Sequence, residues 1–257
     1  MEEYVNRFLQ YLRTERNYSD YTEQNYLFDV EDFSNYLYEN HLSFKKITYK
    51  EIMVYVKYLK EKEKLKSTSI NRHLSSLRSF YNYLLRENVI KANPFSLVNG
   101  PKNEKKLPNY MKYSEFEMLV ETCDETPLGI RNRALLELLL ATGARIGEII
   151  AIRISDIQFS TREIKVLGKG NKERICYFNE YCEKALLRYI ENARPLLLKN
   201  KTSNRLFINH LGGDLTDRGV RDILDKILHK CTLKNKVTPH TFRHTFATML
   251  LNEGCDL

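Results

Sequence analysis

Residues 92–111 hold Pro94, Gly100, Pro101 and Pro108, together with the charge run Lys102-Asn103-Glu104-Lys105-Lys106. Proline fixes φ and removes a backbone donor, so no helix can run through such a stretch. The sequence on either side is helix-patterned. The break therefore predicts two bodies, 1–91 and 112–257, joined by a linker over 92–111. A chain of 257 residues is long enough to give each body its own core. The basic linker can serve as a solvated tether or lie along phosphates.

The first body reads as four helices. Val5, Phe8, Leu9 and Leu12 fall at helical spacing, and Ser19 is placed to cap a second helix carrying Tyr26, Val30, Phe33 and Leu37. Thr48 opens a third, with Ile52, Val56 and Leu59 on one face. Ser67 or Thr68 opens a fourth, with Ile70, Leu74, Leu77, Tyr81 and Leu84 on one face. Four helices with short connections predict a small bundle.

The second body mixes elements. Ser114 is placed to cap a helix, residues 130–141 are strongly apolar, and Thr142-Gly143 breaks that run before a short helix from Arg145 to about Ile152. Residues 163–167 and 174–178 alternate on either side of a glycine-bearing turn, which predicts a β-hairpin. Helices follow over 180–193 and 217–230. The last opens with Thr238-Pro239 and runs through Leu251, with Gly254 beyond its end.

Lys and Arg number 41 against 33 Asp and Glu, a formal net charge of +8. That balance suits a polyanionic partner, because basic side chains displace condensed counterions from phosphates. Cys123, Cys176, Cys182, Cys231 and Cys255 form no C-x-x-C pair, which argues against a disulfide framework or a zinc site. The N-terminus lacks an apolar signal core, and the longest apolar run is too short to span a bilayer. The expectation is a cytoplasmic protein with no membrane partner.

Three places carry chemistry. Arg145 stands where an apolar helix breaks, and its planar donors can fork onto a phosphate or pair with Glu148 one turn on. Lys169 sits on a turn between Gly168 and Gly170, so it can project as a DNA contact or a general acid, or simply belong to a polar turn. His240 and Arg243 are i and i+3 at a helix N-terminus, a corner that favours anions. Phe242, Phe246, Met249 and Leu250 are expected on the core side of that helix, and His244 in a supporting hydrogen bond. No pair of carboxylates at metal-binding spacing accompanies these groups, so the pattern fits a phosphoryl transfer that needs neither metal nor cofactor.

Taken in order, ATGARIGE (141–148), GKGNKER (168–174) and HTFRHTFATMLL (240–251) resemble the catalytic domain of the phage integrase family of tyrosine recombinases, and its bacterial Xer type in particular. The helical N-terminal part resembles the family's SAM-like core-binding domain. The resemblance implies a mainly α fold with a small β-hairpin or sheet, a four-helix DNA-binding domain and an α+β catalytic domain. It implies Arg145, Lys169, His240 and Arg243 as catalytic residues: the arginines and the histidine bind the scissile phosphate, and the lysine protonates the leaving oxygen. It further implies duplex DNA with a specific site as partner, homologous subunits in a tetramer, and chromosome-dimer resolution as the role. Arg72, Ser75, Ser76 and Ser79 on the fourth helix, and Lys172 beside the turn, are the expected DNA contacts, a solvated helix face being the alternative for the first four.

In the family, a tyrosine beyond the H-x-x-R helix attacks the phosphate and forms a 3′-phosphotyrosyl link. None of the 17 tyrosines in this sequence follows Arg243, and the last is Tyr189. The sequence is therefore expected to lack the nucleophile. Alternatives to a shortened recombinase are a DNA-binding regulator that does not cleave, a subunit served by a tyrosine in trans, and a mobile-element integrase.

Overall fold

The computed structural model describes residues 1–16, 18, 20–102, 110–168, 172–231, 233 and 237–254. They fall into two compact units, Met1–Lys106 and Leu107–Leu257.

The first unit contains α1 (Glu2–Thr14), α2 (Asp20–Glu39), α3 (Tyr49–Glu61) and α4 (Ser67–Arg86). Their apolar stripes meet around aromatic rings: Phe8, Phe33, Tyr55, Phe80, Tyr81 and Phe95 are fully buried. The Phe33 ring meets those of Tyr55 and Phe95 edge-on, with centroids 4.8 and 5.6 Å away, the arrangement that aromatic quadrupoles favour. Tyr55 takes the core place on α3 beside Ile52 and Leu59, while Val56 is only half-buried. Thr48 and Glu51 cap α3 reciprocally. Ser67 does open α4, with Lys66 as the cap residue, whereas Ser19 lies outside the described residues.

The proline-rich stretch begins as part of this unit. Phe95 and Val98 are buried in its core. Arg78 donates to the carbonyls of both, and Asn93 donates to Arg78 O and Asn82 Oδ1. A Cβ on Gly100 would meet Asn71 Oδ1 at 1.8 Å, and Asn71 Nδ2 donates to Pro101 O. Residues 93–101 are thus strapped to the bundle rather than free as a linker, because Phe95 and Val98 bring apolar surface that the bundle buries.

The second unit contains α5 (Tyr113–Glu121), α6 (Pro127–Thr142), α7 (Ile146–Ala151), β1 (Ile157–Gln158), β2 (Glu163–Leu167), β3 (Glu173–Tyr177), α8 (Glu180–Arg188), α9 (Arg194–Leu198), α10 (Asp217–Lys230) and α11 (Pro239–Asn252). A 3-10 turn precedes β1, and a π segment, Tyr189–Ala193, joins α8 to α9. Helix α6 is apolar nearly all round. Ala134, Leu135, Leu136, Leu138 and Leu139 are fully buried, as expected of a helix at the centre of a unit. Helices α8 and α11 pack against it.

The sheet is antiparallel in the order β1-β2-β3. The register pairs Ile164 with Cys176 and Leu167 with Glu173. The predicted hairpin is present with its second strand one residue earlier, and β1 is an addition to it. Helix α5 is capped by Lys112 and Glu115, not by Ser114, which lies within it. On α11, Phe242, Thr241 and Thr245 are the buried residues, and Thr245 Oγ1 accepts from Met111 N at 2.9 Å. Phe246, Met249 and Leu250 instead line an open groove with Tyr113, Phe116 and Leu140. Met249 is 43% exposed. The described residues seat α11 through its Thr241-Phe242-Thr245 side, so apolarity alone misplaced its other apolar side chains in the core. Among the described residues, no helix is long and apolar enough to cross a membrane.

Candidate active site

Helix α6 ends at Gly143, whose φ of 55° is left-handed and suits glycine at a helix C-terminus. A Cβ there would also meet the Phe246 ring at 2.4 Å. Two residues on, Arg145 takes an extended conformation and caps α7. Its N–H donates to Glu148 Oε2 at 2.8 Å, and its Nη1 donates to Glu148 Oε1 at 3.1 Å.

Glu148 is the hub of the site. Arg174, arriving from β3, forks onto both of its carboxylate oxygens at 2.8 Å each. Its side chain is 5% exposed. Burial alone would raise its pKa, but the hydrogen bonds from Arg174 and from the Arg145 N–H overcome this and hold it at about 2. A permanently ionised carboxylate thus orients two guanidinium groups. Arg145 remains 58% exposed on the pocket side: it pairs with Glu148 and still presents its outer donors.

Helix α11 delivers the other two side chains. Thr238 caps it, its Oγ1 accepting from Thr241 N, and Pro239 occupies its first turn. His240 and Arg243 leave this turn exposed. Arg243 Nη1 donates to Gly143 O at 2.9 Å, so the second arginine is tied to the end of α6 beside the first. Arg145, His240 and Arg243 line one open cavity of about 510 Å³, with Glu148, Gly168, Asp217 and Arg221 also in its wall.

Lys169 lies outside the described residues. Its neighbour Gly168 lines the cavity, and Gly168 N donates to Lys172 O at 2.8 Å across the turn. Lys172 is exposed. Of the expected contacts on α4, Ser75 is exposed and Ser79 half-buried. Ser76 is fully buried and donates to Asp29 Oδ2 at 2.6 Å. It faces the bundle rather than a groove, because α4 turns that position toward α2. Arg72 is half-exposed and paired with Asp29. His244, expected in a supporting hydrogen bond, is exposed.

Sequence reasoning missed Arg174, and Glu148 as the site's organiser. The strand alternation held a signal for the first: Arg174 pairs with buried Val166 and so shares its inward face. Asp217 and Arg221 gave none. Among the described residues no tyrosine lines the cavity. Tyr177 and Tyr181 are exposed. The Tyr189 hydroxyl is buried, donates to Leu206 O and accepts from Ile208 N, and burial pushes its pKa up to about 12.

Residues 109–257 match the model of the phage integrase family, and residues 5–88 match that of the phage integrase N-terminal SAM-like domain. The chain belongs to the phage integrase family of tyrosine recombinases. It is 45% identical over 257 residues to tyrosine recombinase XerC of Anoxybacillus flavithermus, covering 98% of this chain and 85% of the relative. It is 41% identical over 261 residues to XerC of Bacillus subtilis, covering 100% and 86%. Among solved structures, this recombinase is similar to XerA recombinase, at 31% identity and a TM-score of 0.52 over 99% of this chain and 86% of that one. A lambda integrase (75–356) dimer bound to a COC′ core site shares the fold, with a TM-score of 0.75 at 16% identity over 98% and 87% of the two chains.

Proposed function

We propose that this recombinase exchanges strands of duplex DNA at a specific site by phosphoryl transfer through a 3′-phosphotyrosyl intermediate. The observation that carries the reading is the convergence of Arg145, at the start of α7, with His240 and Arg243, in the first turns of α11, on one open cavity. In it Arg145 and Arg243 hold the non-bridging oxygens of the scissile phosphate, and His240 adds a donor at the α11 N-terminus. Fixed donors stabilise the charge that develops in the transition state without reorganising as it forms. The attacking phenol gives its proton to water in the open cavity as the new P–O bond forms. The bond to the 5′ oxygen breaks, and Lys169 supplies that oxygen with a proton. A 5′-hydroxyl of the partner duplex then attacks the phosphotyrosyl link, and the phosphodiester energy is conserved.

Under this reading the first unit, with the strapped residues 93–101 included, forms the core-binding domain and 112–257 the catalytic domain, the partner being DNA in a tetramer of related subunits in the cytoplasm. The similarity to XerC proteins supports chromosome-dimer resolution as the role. The attacking tyrosine comes from outside these 257 residues, either in the same polypeptide or from a second subunit. The absence of a tyrosine from the cavity wall among the described residues supports this.

The test has two arms. Affinity for duplex DNA is expected to fall steeply as salt rises, and salt-independent binding overturns the DNA reading. On a nicked suicide duplex, the 257 residues alone are expected to leave no covalent adduct. An adduct that survives denaturant assigns the attack to an upstream tyrosine. In a reaction supplied with the tyrosine, Arg243→Ala is expected to lower the cleavage rate by about 10²–10³, and near-normal cleavage removes Arg243 from the site.

A further inference from the structure

Beneath α4 in the first unit lies an ionic cluster that the phosphate site does not use. Asp29, on α2, is fully buried. Its carboxylate takes Ser76 Oγ at 2.6 Å and Arg72 Nη1 at 2.6 Å, and His73 Nε2 lies 3.1 Å away. All three partners stand on α4. Ser76 and His73 are buried with it, and only Arg72 reaches the surface, its side chain 38% exposed. Nη1 of Arg72 also donates to Asn25 O at 3.3 Å. Among the described residues the polar contacts of Arg72 are made by Nη1. A guanidinium carries five N–H donors in a fixed fork, so its outer edge faces solvent.

The other arginines of α4 are engaged differently. Arg78 donates to the carbonyls of Phe95 and Val98, and Arg86 pairs with Glu15 at 2.8 Å. Arg72 is therefore the guanidinium anchored from beneath by a buried carboxylate, on the helix stripe that includes exposed Thr68 and Ser75. A buried carboxylate is costly, and an apolar side chain of similar volume often serves packing as well or better. What such a side chain cannot do is hold a guanidinium in one orientation at the surface.

We propose that Asp29 is a positioning residue for DNA binding: it holds Arg72 pre-oriented on α4, so that the outer edge of the fork takes a backbone phosphate of duplex DNA. This rests on the DNA reading above and deepens it by assigning a contact. A free arginine loses rotamer freedom when it binds, and an arginine already held in place avoids that loss.

The sign of the effect separates positioning from charge. Asp29→Asn removes a negative charge, so on charge alone it tightens DNA binding. Positioning predicts the opposite. The experiment measures fluorescence anisotropy of a mixed-sequence duplex of about 30 base pairs with the full chain, between about 50 and 200 mM salt, alongside the melting temperature of each variant. Asp29→Asn is expected to weaken binding by about two- to tenfold and to lower the slope of log affinity against log salt by about one. Arg72→Ala is expected to do the same, and Asp29→Asn is expected to add nothing in the Arg72→Ala background.

Arg72→Lys keeps the charge and loses the fork. It is expected to weaken binding by a similar factor even if Asp29→Asn fails to fold. Asp29→Asn binding that equals or exceeds the unsubstituted chain, in a variant that melts above the assay temperature, overturns the proposal and leaves Asp29 a packing residue. Unchanged affinity in Arg72→Lys overturns it equally. If the unsubstituted chain does not bind the duplex, the DNA reading falls and takes this proposal with it.

Discussion

Each unit presents an arginine on a buried carboxylate, and the pKa values of the two carboxylates are shifted in opposite directions. Asp29 in the first unit meets one arginine, one serine and one histidine, and burial raises its pKa against the pull of Ser76, His73 and Arg72. Glu148 in the second meets two arginines and a backbone N–H, and its pKa falls to about 2. The difference is one of donors. A bidentate fork and a capping N–H at Glu148 outweigh the loss of hydration. At Asp29 a single guanidinium atom and a hydroxyl do not. Burying a charge for orientation is thus cheap only where the carboxylate's oxygens are fully used.

The largest effect is expected at Glu148. Glu148→Ala leaves Arg145 and Arg174 without their common partner. Both arginines are more than a third exposed, so the loss is that of hydrogen bonds to a charged group, about 1.5–3 kcal/mol, and thermal denaturation should show the second unit melting lower by roughly 3–12 °C. A change of a degree or two means that the hub is dispensable for stability.

Acid acts on the two carboxylates with opposite signs. The folded pKa of Glu148 lies below its ordinary value of 4.5, so the folded state binds fewer protons than the unfolded one between pH 4.5 and about 2. Its contribution is complete above pH 4.5 and lost as pH falls through that window, at roughly 3 kcal/mol in total. Asp29 has the opposite sign: its raised pKa makes acid favour the folded first unit. Denaturant titrations from pH 5 downward, comparing the protein with Glu148→Gln, should show a steeper loss in the unsubstituted second unit. Equal slopes would mean that Glu148 is not held ionised by its arginines.

How much of this was legible follows from the range of each interaction. Helical stripes and caps are local, so the periodicity of Val30, Phe33 and Leu37 and the Thr48–Glu51 cap could be read from neighbours in the chain. The family motifs likewise named Arg145, His240 and Arg243, and the structure brings these three together. What the sequence did not show are contacts across long separations. Ser76 reaches Asp29 47 residues away, and Arg243 reaches Gly143 100 residues away. A polar residue on a helix reads as solvent-facing until the carboxylate it meets is known, which is why Ser76 was expected outward. Apolarity misleads in the same way on α11: Phe246, Met249 and Leu250 call for cover, but the pattern does not say what provides it.

The smallest effect tests that register directly, through two adjacent serines of α4. Ser76→Ala removes a hydroxyl that donates to a fully buried carboxylate. A hydrogen bond to a charged group is worth about 1.5–3 kcal/mol, and among the described residues Asp29 is then left with Arg72 and His73. Ser75 is exposed, and a surface substitution away from any buried feature usually changes stability by no more than about 0.5 kcal/mol. Urea titration of both variants should place Ser76→Ala well below Ser75→Ala in midpoint with an unchanged slope. The reverse order would turn α4 by about 100° about its axis, pointing Ser76 outward as the sequence alone suggested and leaving Asp29 without its serine.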